Sequence, residues 1–291
     1  SIFRKTQRHW EEAITNLNTY LKRYPDPERS PRVHLDIIRI HEKNKRFKGV
    51  LKAVGQHMKK YKKEPPGIRM QVMVIKGRAL AAQGKAKAKK ARAAFEATVT
   101  YFNTLSDQEV RGLDLKSVSA VAEAHFNLGE FILSKARNIK LKGSKAKLSK
   151  SIKDKMTLMA QARKVYEQVI SYGHPGWMIA AYTQLGLAFR DLADAVENSP
   201  VPKKFEDIPD AAEEYRTMAA EKAKPIRDKA VNSYGRALTI AREKNWFNRY
   251  SEQAERAIAQ LDLTDRTIKE ARLRPDRMRA NSGLPMFMGG E

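Results

Sequence analysis

Residues 172–192, YGHPGWMIAAYTQLGLAFRDL, decide the fold that this sequence predicts. The GHPG motif at 173–176 interrupts any preceding helix, because glycine and proline both disfavour the helix interior. The apolar run that follows places Tyr182, Leu185 and Gly186 in the order aromatic-x-x-Leu-Gly. A glycine among large side chains predicts a helix that a second helix approaches closely.

The same pattern occurs a second time, around Leu128 and Gly129. A second pattern recurs along the chain, in which a small residue is followed four positions later by a large one, so that both lie on one helical face. This second pattern occurs at Ala13-Leu17, Ala91-Phe95, Ala162-Tyr166 and Ala230-Tyr234. The two patterns together predict an all-α fold with at least four helix pairs.

Over residues 5–262 these paired patterns resemble those of tetratricopeptide repeat (TPR) proteins. The resemblance implies a right-handed TPR-like α-solenoid of antiparallel helix pairs with a C-terminal capping helix. In such repeats the glycine lets the second helix pack closely against the first. The positions that carry the resemblance are Ala91, Phe95, Leu128, Gly129, Ala162, Tyr166, Tyr182, Leu185, Gly186, Ala230 and Tyr234.

Helical periodicity and chain breakers predict where the elements begin and end. Residues 1–262 are expected to form the solenoid, and the aperiodic residues 263–291 a partly flexible C-terminal extension. Residues 105–115 are expected as a polar connection, and the lysine-rich stretch 140–155 as a mobile loop or frayed helix extension. Residues 210–224 are also expected to be helical, so that the helices of the pair at 176–197 and 223–244 would be long. The expected helices are residues 7–24, 31–44, 47–62, 68–83, 86–104, 116–138, 156–172, 176–197, 223–244 and 247–262.

Charge divides the chain into two unlike halves. The net charge is +24 over 291 residues, and residues 1–160 carry 36 Lys and Arg against 14 Asp and Glu. The half at 161–262 is near-neutral. A basic half predicts a face that meets a polyanion, and the alternative is a solvated, lysine-rich surface. Neighbouring hairpin ends in a solenoid are expected to merge these charges into one patch, and the alternative is two rims, because the turns lie at opposite ends of a helix. The residues of the expected basic patch are Arg39, Lys43, Lys45, Arg46, Lys59, Lys60, Lys62, Lys63, Lys85, Lys87, Lys89 and Lys90.

The motifs of common enzymes and metal sites are missing from the sequence. There is no cysteine, which excludes a disulfide framework and a Cys-ligated zinc site. There is no P-loop, dinucleotide-binding glycine motif or His-Glu-x-x-His motif. His34 and His41 lie two helical turns apart, roughly 10 Å, which is too far to share one metal ion. The sequence therefore predicts a non-enzymatic protein without metal or cofactor, and it has no apolar run long enough for a transmembrane helix.

The first helices of TPR pairs line a concave groove, so groove residues can be placed by their offset from the two Leu-Gly pairs. This offset gives Phe126, Glu130, Thr183, Arg190 and Asp191 as the expected partner-binding residues. The same offsets do not provide the Lys, Asn and Arg that TPR proteins use to clamp a peptide carboxylate. Clamp-type chaperone binding is therefore not expected.

Residues 160–262 resemble more specifically the C-terminal half of TPR proteins from the envelope-spanning gliding-motility machinery of deltaproteobacteria. The resemblance implies a non-catalytic scaffold or adaptor in a multiprotein cell-envelope complex. Its location would be the periplasm or the periplasmic side of the outer membrane, and its partners would be proteins. An anionic surface or a cell-wall polymer is a further expected partner of the basic half. The alternative function is an RNA-binding solenoid that uses the basic N-terminal half.

Overall fold

The computed structural model describes residues 2–140 and 145–261, and within these residues it contains helices and no strands. The all-α prediction is confirmed for this part of the chain, whereas the flexible extension predicted at 263–291 lies outside it. None of the described helices is long and apolar enough to cross a membrane. The helices are α1 (Ile2–Arg23), α2 (Ser30–Lys43), α3 (Phe47–Lys60), α4 (Pro66–Ala81), α5 (Ala88–Phe102), α6 (Asp107–Arg111), α7 (Leu115–Asn138), α8 (Lys145–Ser171), α9 (Pro175–Glu197), α10 (Lys203–Glu206), α11 (Pro209–Glu243) and α12 (Arg249–Gln260).

Proline and glycine set several helix ends. Pro66, Pro175 and Pro209 are the first residues of α4, α9 and α11. Proline is well suited to this position because its missing N–H would have no partner there and its φ already fits a helix. Gly84 and Gly173 adopt φ values of 82° and 71° in the turns before the next helices. Glycine reaches this left-handed region without steric cost.

The structure adds detail to the sequence prediction in three segments. The connection at 105–115 contains the short helix α6, whose start is fixed by a reciprocal capping box between Ser106 and Glu109. Within the lysine-rich stretch, residues 145–155 belong to α8, and residues 141–144 lie outside the described part. The predicted helices at 210–224 and 223–244 form one continuous helix, α11, which has Pro225 in its interior.

The described chain divides into two compact units. Unit 1 comprises the residues up to Ser134 together with Lys164–His174, and unit 2 comprises Lys135–Arg163 and the residues from Pro175 onward. This division follows spatial contacts. The sequence division at residue 160 follows charge alone, so it describes a different property of the chain.

In unit 1, neighbouring helices along the chain pack against each other. One buried cluster joins α2, α3 and α4 through residues such as Ile38, Val54 and Val72. A second joins α4, α5 and α7 through residues such as Phe95 and Val121. Because α4 belongs to both clusters, it is apolar on most of its surface, unlike the amphipathic α2 and α3.

In unit 2, the core lies between α9, α11 and α12 and includes Ile179, Tyr234 and Ile258. The amphipathic helix α12 covers one side of this core. It begins at a capping box in which the Asn248 side chain accepts hydrogen bonds from the backbone N–H groups of Tyr250 and Ser251. These caps satisfy donors that the first helical turn would otherwise leave without partners.

Close helix contacts in both units pair a glycine with an aromatic ring. A Cβ atom added to Gly129 would lie less than 3.0 Å from the ring of Tyr166, and one added to Gly186 would lie equally close to Tyr234. The close approach expected at both glycines is therefore present. A third contact of this kind, between Gly77 of α4 and Phe95 of α5, was not predicted. The three rings are fully buried.

Candidate partner-binding groove in the first unit

An open pocket of about 870 Å³ lies in unit 1 between α1, α2, α4 and the connection from α6 to α7. Its wall includes Tyr20, Arg32, Gln71 and Asp114, together with the Pro65-Pro66 turn. The wall therefore mixes aromatic, aliphatic, charged and amide groups. We call this pocket and the adjoining faces of α2, α4 and α7 the groove.

A chain of hydrogen bonds crosses the groove from α2 to α7. Arg39 donates to Asp36 Oδ1 at 3.0 Å on its own helix and to Gln71 Oε1 of α4 at 2.6 Å. The Gln71 amide in turn donates to Ser117 Oγ of α7 at 3.3 Å, and the Ser117 hydroxyl donates to Asp114 Oδ1 at 2.5 Å. This hydroxyl holds the pKa of Asp114 below its usual value. The chain fixes the orientation of polar side chains that face the groove.

A second polar link joins the same three helices about two turns further along α4. The guanidinium of Arg78 on α4 donates two hydrogen bonds to the carboxylate of Glu42, at 2.7 and 3.0 Å. It also donates to Glu123 Oε2 of α7 at 2.7 Å. Burial raises the pKa of Glu123 to about 7, against the attraction of Arg78, and the Glu42 carboxylate adds to the rise. One arginine therefore holds two acids, of which Glu123 is the more deeply buried.

Glu123 should make the stability of the protein depend on pH near neutrality. Because the pKa of Glu123 rises from 4.5 to about 7 on folding, the folded protein binds this proton more tightly than the unfolded chain does. The resulting stabilisation is complete below pH 4.5 and is lost as the pH rises through 7. We expect Glu123→Gln to remove this pH-dependent fall in the free energy of unfolding, which amounts to about 3 kcal/mol at most.

Urea unfolding followed by circular dichroism at several pH values between about 5 and 8 measures this effect. Glu221→Gln, at an exposed position on α11, is the matched control and should keep the pH dependence of the wild type. Parallel stability curves for Glu123→Gln and the wild type would contradict the role assigned to Glu123.

The groove residues placed by offset lie in two different units and two different environments. Phe126 and Glu130 belong to unit 1, whereas Thr183, Arg190 and Asp191 belong to unit 2. The side chains of Phe126 and Thr183 are buried, with exposed fractions of 4% and 0%, so they cannot line a surface. They lie three residues before Gly129 and Gly186, which puts them on the same helix face as the close contacts described above.

The other three offset residues are half-buried and make polar contacts. Glu130 accepts a hydrogen bond from the Tyr166 hydroxyl at 2.5 Å. Arg190 and Asp191 form an ion pair at 3.3 Å, and Arg137 lies 3.5 Å from Asp191. Both acids therefore hold neighbouring helices together through their own side chains.

The repeat positions named from the sequence all lie in the interior. Leu128 and Tyr182 are partly buried and pack against the two cores. The remaining nine positions are buried, namely Ala91, Phe95, Gly129, Ala162, Tyr166, Leu185, Gly186, Ala230 and Tyr234. These nine side chains pack helices together, and their burial keeps them away from the protein surface.

The basic patch lies in unit 1, and its arginines and lysines behave differently. Arg39 is engaged in the groove, and Arg46 lies 5.0 Å from the ring of Trp10 and 3.8 Å from Glu11. Both arginines therefore contribute to the packing of unit 1. The ten lysines are exposed, apart from the half-exposed Lys87, and none of them forms a salt bridge among the described residues.

The ten lysines fall into two groups at opposite ends of α3 and α4. Helices joined by a short turn run antiparallel, so the turn before α3 and the turn after α3 lie at opposite ends. Lysine rim 1 consists of Lys43, Lys45, Lys85, Lys87, Lys89 and Lys90. Lysine rim 2 consists of Lys59, Lys60, Lys62 and Lys63.

A buried polar chain that the sequence reasoning missed connects α2, α3 and the start of α4. His34 Nδ1 lies 3.1 Å from His57 Nδ1, and His57 Nε2 lies 2.5 Å from Glu64 Oε2. The side chains of His57 and Glu64 are fully buried. The pKa of His34 is lowered to about 4, mainly by burial and to a smaller extent by the charges of His57 and Lys60. His57 and Glu64 have no access to solvent, so the hydrogen bonds of this chain serve to hold the three segments together.

No cluster of three or more His, Asp or Glu side chains among the described residues could hold a metal ion. Comparisons with protein-family models and with curated proteins found no match to this chain.

Proposed function

We propose that the protein is a non-catalytic adaptor of TPR-like helix pairs that holds a segment of a partner protein in the groove of unit 1. The groove carries this proposal, because it combines an open pocket with polar side chains already fixed by hydrogen bonds. Side chains held in place lose little conformational freedom when a partner binds, and this favours affinity. An extended segment could use the exposed groups at the wall, such as Arg32 and Glu28.

The TPR-like nature of the repeats belongs to the same proposal. Its support is the recurrence of one contact, a first-helix glycine against a second-helix aromatic ring, at Gly77, Gly129 and Gly186. Right-handed stacking of the pairs into a solenoid is the corresponding expectation from the sequence resemblance. A crystal structure with left-handed stacking would contradict it.

The cell-envelope setting is the part of the proposal that depends on resemblance alone. We propose that the adaptor serves a multiprotein envelope complex of the gliding-motility kind, in the periplasm or at the periplasmic side of the outer membrane. The coding sequence upstream of Ser1 tests the location: an export signal or a lipid-attachment cysteine supports it. A cytoplasmic position of the tagged protein in its native cells would contradict it.

Selection from a random peptide library tests the groove directly. The library is panned on the wild-type protein, and the binding of the selected peptides is measured by fluorescence anisotropy. We expect Glu28→Ala with Arg32→Ala to weaken binding about tenfold or more, because both exposed side chains line the pocket.

The control for the groove variant is Lys52→Ala with Gln56→Ala, two exposed positions on α3 that do not line the pocket. It should bind the selected peptides as the wild type does. Equal binding by the wild type and both variants would reject the groove as the binding site. Circular dichroism and thermal unfolding of both variants verify that the fold is kept.

A further inference from the structure

In unit 1, arginines contact neighbouring side chains, whereas the lysines of rim 1 extend into solvent. Arg39 and Arg78 are held by acids or amides on neighbouring helices, and Arg46 stacks on Trp10. Arginine suits such roles because its planar guanidinium donates in fixed directions and stacks on rings. The exposed lysines carry no such contacts within rim 1, so their charge is available to a binding partner.

The lysines of rim 1 lie on two helix ends that are side by side. Lys43 and Lys45 lie at the end of α2, and Lys85–Lys87 form a short 3₁₀ turn after α4. The bidentate pair of Glu42 with Arg78 joins the last turns of these two helices. In the turn after α4, the lysines follow Gly84 and alternate with the small residues Ala86 and Ala88, with no acid among them.

Rim 2 is smaller, and its lysines are partly engaged. Lys60 Nζ lies 5.3 Å from the ring centroid of Tyr61, a cation–π distance. Rim 1 therefore offers the larger set of uncommitted charges.

We propose that rim 1 binds an acidic polypeptide segment, rich in Asp and Glu and extended, as a second attachment surface of the protein. Lysine ammonium groups on flexible side chains can form ion pairs with the carboxylates of a mobile segment, because such pairs do not require a fixed geometry. The surface is separate from the groove, because none of the six lysines lines the pocket. The inference therefore goes beyond the proposed groove function and can fail without it.

The surroundings of rim 1 favour a polypeptide over a nucleic acid or a membrane. Single-stranded nucleic acids gain much of their affinity from bases stacked on exposed aromatic rings. Among the described residues of unit 1, the large hydrophobic side chains with high exposure are Tyr24 and Leu115, and neither is near rim 1 in the chain. Rim 1 also offers no large apolar side chain that could insert into a bilayer, and its arginine neighbours are already committed.

The test compares three labelled polyanions at about 0.15 M salt: a Glu-rich peptide, a single-stranded RNA of equal charge and vesicles that contain phosphatidylserine. We expect the wild type to bind the peptide most tightly. The variant with Lys85, Lys87, Lys89 and Lys90 each changed to Glu should bind it about 10- to 100-fold more weakly, because four attractions between lysine and carboxylate groups become repulsions. Binding should also weaken as the salt concentration rises.

The matched control changes four exposed lysines of unit 2 to Glu, namely Lys222, Lys224, Lys229 and Lys244, and so alters the net charge equally. It should keep most of the peptide affinity. Equal losses in both variants would show that bulk charge, and not rim 1, binds the peptide. Tighter binding of RNA or vesicles than of the peptide would overturn the assignment to a polypeptide. The peptides selected on the groove should bind the rim 1 variant normally, which separates this test from that of the proposed function.

Discussion

Gly186→Leu should lower the free energy of unfolding by about 3 kcal/mol, as expected for overpacking of a close contact. Even a Cβ atom at this position would lie less than 3.0 Å from the Tyr234 ring, which is fully buried and cannot turn away. A leucine would therefore separate α9 from α11, the two helices that build most of the unit 2 core. Chemical unfolding followed by circular dichroism measures the loss, and Gly186→Ala should show a smaller loss of the same sign.

Gly235→Ala provides the matched control in the same pair of helices. Gly235 is the neighbour of Tyr234 on α11, and nothing lies within 4 Å of a Cβ atom added there. Alanine should stabilise α11 by about 1 kcal/mol at most, because it has the higher helix propensity. If both alanine variants raised the stability equally, the close contact at Gly186 would not restrict the packing of the pair.

His57→Leu should lower the free energy of unfolding by about 3–5 kcal/mol at neutral pH, as is typical when one partner of a buried polar pair is removed. The substitution leaves the buried Glu64 carboxylate without its imidazole at 2.5 Å. Glu64 Oε1 already has no hydrogen-bond partner, and the Arg69 guanidinium lies 4.0 Å away. His34 would lose its contact as well.

The double variant His57→Leu with Glu64→Leu should recover a large part of this loss. When both members of a buried polar pair are replaced by apolar groups, no group is left without a partner. His9→Leu, at a histidine whose side chain is 76% exposed, should leave the stability nearly unchanged. A double variant no more stable than His57→Leu would show that the volume of the imidazole matters more than its hydrogen bonds.

The helices were predictable because their patterns are local. Periodicity and proline placed the starts of α3, α4 and α9 within two residues of their positions in the structure. Gly77 was missed because lysine precedes it, whereas the predicted pattern contains a Leu-Gly pair. The Ala91-Phe95 pattern could nevertheless have predicted Gly77, because at the other two pairs the large residue of this pattern packs against a glycine on a preceding helix.

The groove was only partly predictable because its residues come together from distant parts of the chain. The offset from the Leu-Gly pairs selected Phe126 and Thr183, which share the buried face of the glycines. The link from Arg39 through Gln71 to Ser117 spans three helices, and no periodic pattern within one helix reveals it. The contact of His34 with His57 was missed for the same reason, although His57 continues the apolar face of Val50 and Val54 and was in this sense conspicuous.

Pro225 divides α11 into two segments of unequal resistance to local opening. Proline has no N–H to donate to the preceding turn, so the helix loses one of its hydrogen bonds at that point. The buried residues before Pro225 are Ala212, Ala219 and Ala223, which have small side chains. The buried residues after Pro225 include the large Tyr234 and Leu238, which belong to the unit 2 core. The first segment can therefore fray and re-form as a separate cooperative element while the second remains in place. We therefore expect one continuous helix to contain two elements of different local stability, with Pro225 at the boundary between them.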